Sequence, residues 1–373
     1  MNKISIILIF ILIISLSGCS IPKRTDGFTT SGIMLQDETW SGEIYITGDI
    51  FVPSHITLTI MPGTTVYIAA NQDDQNSGGE HILDEITTDD PSAYPNYTKN
   101  HINILVQGEL VAVGTAEEKI TFTSDSKDPQ HTDWDGITIK GGSGEMKHCI
   151  VEYSHTGPAV HDTSNFTISH CTIQHIFWGG LHAFSGSPVF EYNYLNDFGH
   201  EALDTHKASP IIKNNYISHA RSGFVFNYYD LDSGEPIIFE NNIIENSSNL
   251  GGVQENSYAI IRNNIFIGSN NTGGPWTYKN FTLDNTQHSL GIHLADNVNI
   301  NITNNTFTNI YNPIDYIEIG GNKGIGHTTN TPEPFEITGP VNILIEENYF
   351  DEAEFVTELE KWKNVYFINN SFN

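Results

Sequence analysis

Ile238-Phe239-Glu240-Asn241-Asn242-Ile243-Ile244 is answered twenty-two residues on by Ile260-Ile261-Arg262-Asn263-Asn264-Ile265-Phe266. Each passes from alternating apolar residues through an Asn-Asn pair into a second apolar pair. The phrase recurs at 211–217, 302–307, 345–350 and 367–372, and in weaker form earlier. Aligned on the second Asn, the column runs Cys149, Cys171, Asn193, Asn215, Asn242, Asn264, Asn305, Asn348, Asn370. Its steps are 22, 22, 22, 27, 22, 41, 43 and 22.

A fixed period of this length means a solenoid, in which each repeat buries its apolar face only against its neighbours. A leucine-rich repeat shares the length but needs Leu at fixed spacings and a helical segment, and this repeat offers Ile, Phe, Asn and Gly. The pattern predicts an all-β right-handed parallel β-helix of about ten coils, with equivalent residues stacked about 4.8 Å apart. Asn suits the turn column because it tolerates left-handed backbone angles and its amide can bond to the next coil's amide. The column is structural. The steps of 41 and 43 each hide a degenerate coil, with Leu283-Asp284-Asn285 and Ile317-Glu318-Ile319 as candidates, or carry a long loop such as the one around Gly273-Gly274-Pro275-Trp276.

Composition agrees. Across 373 residues, 45 acidic side chains face 16 basic ones for a net charge of −29, which disfavours nucleic acid as a partner. Only 38% of residues are hydrophobic and there are 32 glycines, a composition of turns and short strands.

The first segment stands apart. Lys3 precedes an apolar run from Ile4 to Ile14, too short to span a bilayer comfortably and laid out as a secretion signal. Leu16-Ser17-Gly18-Cys19 then resembles the lipobox of bacterial lipoproteins. The expectation is a signal peptide at 1–18, a lipidated Cys19 at the head of a linker over 19–36, and one β-helix domain over 37–373. That places the protein outside the cytoplasm, held on a membrane by lipid.

Between Trp40 and Ser124 the chain resembles the N-terminal part of secreted β-helix proteins of the pectate-lyase-like superfamily. The matching stretches are Gly48-Asp49-Ile50-Phe51-Val52, Leu58-Thr59-Ile60-Met61-Pro62-Gly63-Thr64, Gly108-Glu109-Leu110-Val111-Ala112-Val113-Gly114-Thr115 and Ile120-Thr121-Phe122-Thr123-Ser124, continued by Trp134-Asp135-Gly136-Ile137 and Cys149-Ile150-Val151-Glu152-Tyr153. The resemblance implies N-terminal strands capping the core, and it implies a fold that hosts lyases, hydrolases and adhesins alike. The Asn-Thr-Asp, Asp-Asp, Gly-His-Gly and Arg-Ile-Lys order of polygalacturonase-like hydrolases is missing, and basic residues for a lyase are scarce. An insertion at about 71–101 interrupts the pattern. Its Asp73-Asp74 and Asp89-Asp90 are candidate Ca²⁺ ligands, or simply a solvated acidic loop.

A strict period of 22 lets columns be read off. Ala159, Leu181, Leu203 and Val225 form an inward apolar column. Beside it, Val160, His182, Asp204, Phe226 and then Asp162, Phe184, His206, Tyr228 should point outward. A carboxylate between imidazoles suits acid–base work, so His182, Asp204 and His206 are the candidate catalytic residues; Asp162, Phe184, Phe226 and Tyr228 are the candidate substrate-binding residues, flat rings on which sugars stack. The competing reading is a solvated sheet face. A second column, Tyr153, His175, Asp197, His219, with Arg221 beyond, reads either as a metal site through imidazole nitrogens or as His–Asp ladder pairing. Cys149 and Cys171, stacked on neighbouring coils, are open to a disulfide or to two buried thiols. Ala353, Val356, Leu359 and Trp362 predict a short amphipathic helix within 351–363. The functional expectation is a lipid-anchored surface protein that binds, and at its most active cleaves, a polysaccharide or cell-surface glycan. The rival is a structural or adhesive body, which an open last coil allows to self-associate end to end.

Overall fold

The computed structural model describes residues 23–24, 27–75, 99–163, 165–230, 233–269, 276–278, 281–283, 289–317, 340–355, 359 and 362–373. The apolar leader, Cys19, Asp89-Asp90 and both candidate hidden-coil sequences beyond Leu283 and Ile317 therefore lie outside the described residues.

Two long parallel ladders build the molecule, one of 13 strands and one of 22. Each strand of the 13-stranded ladder marks one coil, so the solenoid is longer than the ten coils expected. The surplus comes from the N-terminal end, where Lys23–Arg24 pairs with Glu38–Trp40, and Phe28–Ile33 with Glu43–Val52, all in parallel register. Lys23–Arg24 and Phe28–Ile33 fall within 19–36, the stretch read as a linker, so the ladders begin before residue 37.

Inside, apolar residues at every second position close a continuous core. Phe266, Phe307, Phe350 and Phe372 stack face to face with centroids 4.8, 5.0 and 5.3 Å apart, the spacing of the coils themselves.

The turn before the second strand of each coil divides its work between its two Asn residues. The first takes the left-handed conformation, with φ of 58° at Asn214, 56° at Asn241 and 58° at Asn263. In earlier coils His148, His170 and Tyr192 hold the same conformation. The second Asn is buried and carries the ladder. Asn193, Asn215, Asn242, Asn264 and Asn305 each donate through backbone N–H and side-chain amide to Oδ1 of the Asn one coil on, at 2.8–3.1 Å, ending at Asn348 and Asn370. Asn264 bonds directly to Asn305, and Asn305 to Asn348, so the 41- and 43-residue steps are single coils with insertions and hide no further coil. Part of the first insertion is a small antiparallel pair, Trp276–Tyr278 with Phe281–Leu283.

Cys149 and Cys171 are free thiols in this column. The Cys149 N–H donates to Cys171 Sγ at 3.4 Å and the Cys171 N–H to Asn193 Oδ1 at 3.0 Å, so sulfur takes the acceptor's place that an amide oxygen holds elsewhere. Burial pushes the Cys149 thiol well up, with Cys171 beside it.

Of the helix expected within 351–363, Leu359 lies in a 3₁₀ turn whose carbonyl accepts from the Trp362 N–H at 3.1 Å, and 356–358 and 360–361 lie outside the described residues. Residues 351–355 end a strand and bridge Tyr311 through Glu354, while Leu359 is buried and Trp362 meets Tyr316 edge-on at 4.8 Å. Val356 lies outside the described residues. In the insertion, Asp74 accepts hydrogen bonds from Thr47 at 2.6 Å and Ser31 at 3.2 Å, and Asp73 from the Asp49 and Gln75 backbones. These carboxylates tie the insertion to the preceding coils.

Candidate functional site

The third strands of two successive coils, Leu181–Gly186 and Leu203–Ala208, pair Leu181 with Leu203, His182 with Asp204, Ala183 with Thr205 and Phe184 with His206. Leu181, Ala183 and Thr205 are buried toward the core, and His182, Asp204, Phe184 and His206 project from the other side of the sheet. His182, Asp204, Phe184 and His206 therefore come together as expected.

Their predicted neighbours do not. Ala159 pairs with His182, a step of 23, and Asp204 pairs with Val225, a step of 21. Side chains alternate every residue, so a slip of one moves a whole strand's pattern to the opposite face. Ala159 and Val225 thus leave the inward column, while Val160 and Phe226 enter the core. Asn227 takes the place beside His206 that was assigned to Tyr228. Tyr228 lies in the following turn with φ of 55° and is buried, and Asp162 sits in the equivalent turn with φ of 56°, exposed. Phe184 is also largely covered. The expected exposed aromatic row is absent among the described residues. Exposed rings stand one strand away, at Tyr192 and at Tyr194, which lies parallel to Tyr216 at 5.3 Å.

His182 is only 1% exposed, and neither ring nitrogen has a hydrogen-bond partner among the described residues; Nδ1 stands 3.7 Å from Asp204 Oδ2. The imidazole rests on bare backbone. A Cβ at Gly179 would sit 2.5 Å from His182 Nε2, so only glycine leaves room for the ring. Asp204 keeps 20% of its side chain in solvent, with Oδ1 unpartnered among the described residues.

Glu201, not foreseen, completes the cluster at the end of the strand Tyr194–Glu201, just past a register shift. His200 meets its carboxylate through Nδ1, and His200 in turn stacks on Trp178 at 4.1 Å. Burial opposes ionisation of Glu201, but the charges of His200, His182 and Arg221 hold it below the usual carboxylate range. Burial raises Asp204, and the charge of Glu201 raises it further against the pull of His182. Two carboxylates whose surroundings drive them apart are the electrostatic signature of an acid and a base. Burial pushes His206 down to about 4 and His161, stacked on Phe184 at 4.5 Å, to about 3.

The outward column continues along the solenoid as Ala159, His182, Asp204, Val225, Gly252, His293, Asp315. It thus carries a second dyad, with His293 Nδ1 2.8 Å from Asp315 Oδ1. Three coil steps, about 14 Å, separate Asp204 from His293. Gly252 lies between them, and among the described residues no atom comes closer than 3.9 Å to an added Cβ.

In the second predicted column, Tyr153 stacks on His175 at 5.2 Å, and His175 Nδ1 bonds Asp197 Oδ2 at 2.7 Å. His219 turns to Asn196 and Ser218. His131, from a loop outside the repeat, reaches Asp197 instead.

Residues 121–266 match the family model described as a right handed beta helix region. No curated protein and no solved structure matches the chain. The match falls on the coils that carry His182, Glu201 and Asp204, and with the parallel ladders it gives the chain the right-handed parallel β-helix fold.

Proposed function

We propose that the protein engages polysaccharide along the outward column from His182 to Asp315, and cleaves it by acid–base chemistry at His182, Glu201 and Asp204. The observation that carries this reading is the two His–Asp dyads aligned on one column, separated by Val225 and Gly252. A polymer lying along the solenoid axis meets both dyads, whereas a small molecule meets one. Asp204, held protonated longer than an ordinary carboxylate, gives its proton to the leaving glycosidic oxygen, while Glu201, held ionised, takes a proton from the water whose oxygen forms the new bond to the sugar carbon. Tyr192 and Tyr194 offer exposed rings on the same coil as Glu201. Lipidation at Cys19 would hold this face at a membrane surface outside the cytoplasm, where such polymers are found.

A structural or adhesive role is the second reading, favoured by the burial of Phe184, Phe226 and Tyr228, which removes the stacking platform from the sheet face. The purified full chain, incubated with acidic and neutral polysaccharides with and without Ca²⁺, separates the two. Retention with shortening of the polymer supports a cleaving enzyme, and retention alone supports a binding protein. No retention of any polymer supports the structural reading.

A further inference from the structure

His131, His175 and Asp197 bring one donor atom each to a common point, all within 4.8 Å of one another. His131 Nε2 lies 3.0 Å and His175 Nδ1 2.7 Å from the same Asp197 Oδ2. The two rings meet edge-on, 87° apart with centroids at 5.9 Å, so their nitrogens converge and do not stack. We propose that these three residues form a site for a zinc-class divalent cation, a function separate from the polysaccharide column.

Two imidazoles and a carboxylate are the donor set that borderline metals such as Zn²⁺ prefer, and three protein donors leave a fourth position for water. The side chains retain 32%, 34% and 25% exposure, so that position opens to solvent. Ca²⁺ is disfavoured, because it wants six or more oxygens and the site offers one carboxylate.

Each donor is positioned independently of the others. Tyr153 stacks flat on the His175 ring at 5.2 Å. Asp197 follows Asn196 in a ladder strand, on a turn with φ of 69° that repeats the 56° of His175 one coil before. The His131 loop is pinned by the Phe177 N–H donating to the His131 carbonyl and the Asp133 N–H donating to the Tyr153 carbonyl. Asp133 is anchored from behind by Asn71 and by Gln130. A preformed triad loses little entropy on taking up an ion. Bound metal would clamp the 125–133 loop to two successive coils.

The test uses the untagged full chain, stripped with chelator and titrated calorimetrically with Zn²⁺ and, spectroscopically, with Co²⁺. The expected result is one saturable site, with a visible Co²⁺ band of four-coordinate intensity and no response to Ca²⁺. His131→Ala, placed in a loop outside the ladders, and Asp197→Asn should each weaken binding at least tenfold while the melting temperature of the metal-free protein stays within a few degrees. No saturable binding overturns the site. Binding of unchanged affinity in both variants also overturns it, by placing the metal elsewhere, for instance at the His148–His170 ring pair. Either failure leaves the polysaccharide reading intact, since none of the three residues belongs to it.

Discussion

Asn242 Oδ1 accepts two hydrogen bonds from Asn215, one from its backbone N–H at 2.9 Å and one from its side-chain amide at 3.0 Å. The same pair of bonds, repeated from coil to coil, is what fixes the stacking register. Truncation of one member leaves buried donors without an acceptor, which costs more than the bond is worth when made. Asn242→Ala should destabilise by about 3 kcal/mol, because two donors of Asn215 and the Ile212 carbonyl lose their partner together. Urea unfolding followed with hydrogen exchange checks this: protection should fall first in the coils flanking Asn242, and uniform protection would contradict the ladder's role.

Burial and the charge of Asp296 push Glu255, beside Tyr228, up to about 7 from an ordinary 4.5. The folded state therefore binds a proton that the unfolded state releases. The contribution of Glu255 to stability is complete below pH 4.5 and is lost as pH rises through 7, a loss of about 3 kcal/mol. His161 and His206 act with the opposite sign: burial holds them down to about 3 and about 4, so their contribution is complete above 6.5 and fades as pH falls toward those values. Glu255→Gln should raise the melting temperature at pH 8 and leave it nearly unchanged at pH 4.5. Equal effects at both pH values would refute this.

Gly252 offers a way to block the outward column without touching a dyad. Among the described residues nothing lies closer than 3.9 Å to an added Cβ, so Gly252→Trp should fold with little loss of stability. A bulky ring midway between Asp204 and His293 should nonetheless reduce polysaccharide retention at least tenfold. Full retention would mean that the polymer does not lie along this column.

The thiols give a chemical check on both the ladder and the leader. Cys149 and Cys171 are buried and unpaired, so a thiol reagent should find neither in the native protein. Denaturant without reductant should release two reactive thiols if Cys19 carries lipid through its sulfur, and three if it does not. None, or one if Cys19 is free, would mean a disulfide joins the two core cysteines.

The repeat was legible because Asn is expensive to bury and is repeated only where its amide is used: nine aligned positions from Cys149 to Asn370 all fall in one column of the structure. The site was half legible. His182, Asp204, Phe184 and His206 stand where a period of 22 puts them, since that step is 22. Phe226 and Tyr228 fall elsewhere because the step after Asp204 is 21, and Val160 and Asp162 because the step before His182 is 23; no residue type marks such a slip. Glu201 follows a register shift, and His131 belongs to a loop outside the repeat, so no column reading reaches either. The seven-residue outward column itself, ending in His293 and Asp315, lay beyond a 41-residue step that hid its continuity.

The most direct measurement compares the wild-type chain with His182→Ala, Glu201→Gln and Asp204→Asn on the polysaccharide it retains, scoring polymer shortening alongside the melting temperature. The predicted result is a loss of cleavage of 10²-fold or more, on the order of what a positioned acid or base supplies, in each variant, with the fold intact and binding largely kept. Cleavage that survives all three substitutions would contradict the account and move the chemistry away from this face.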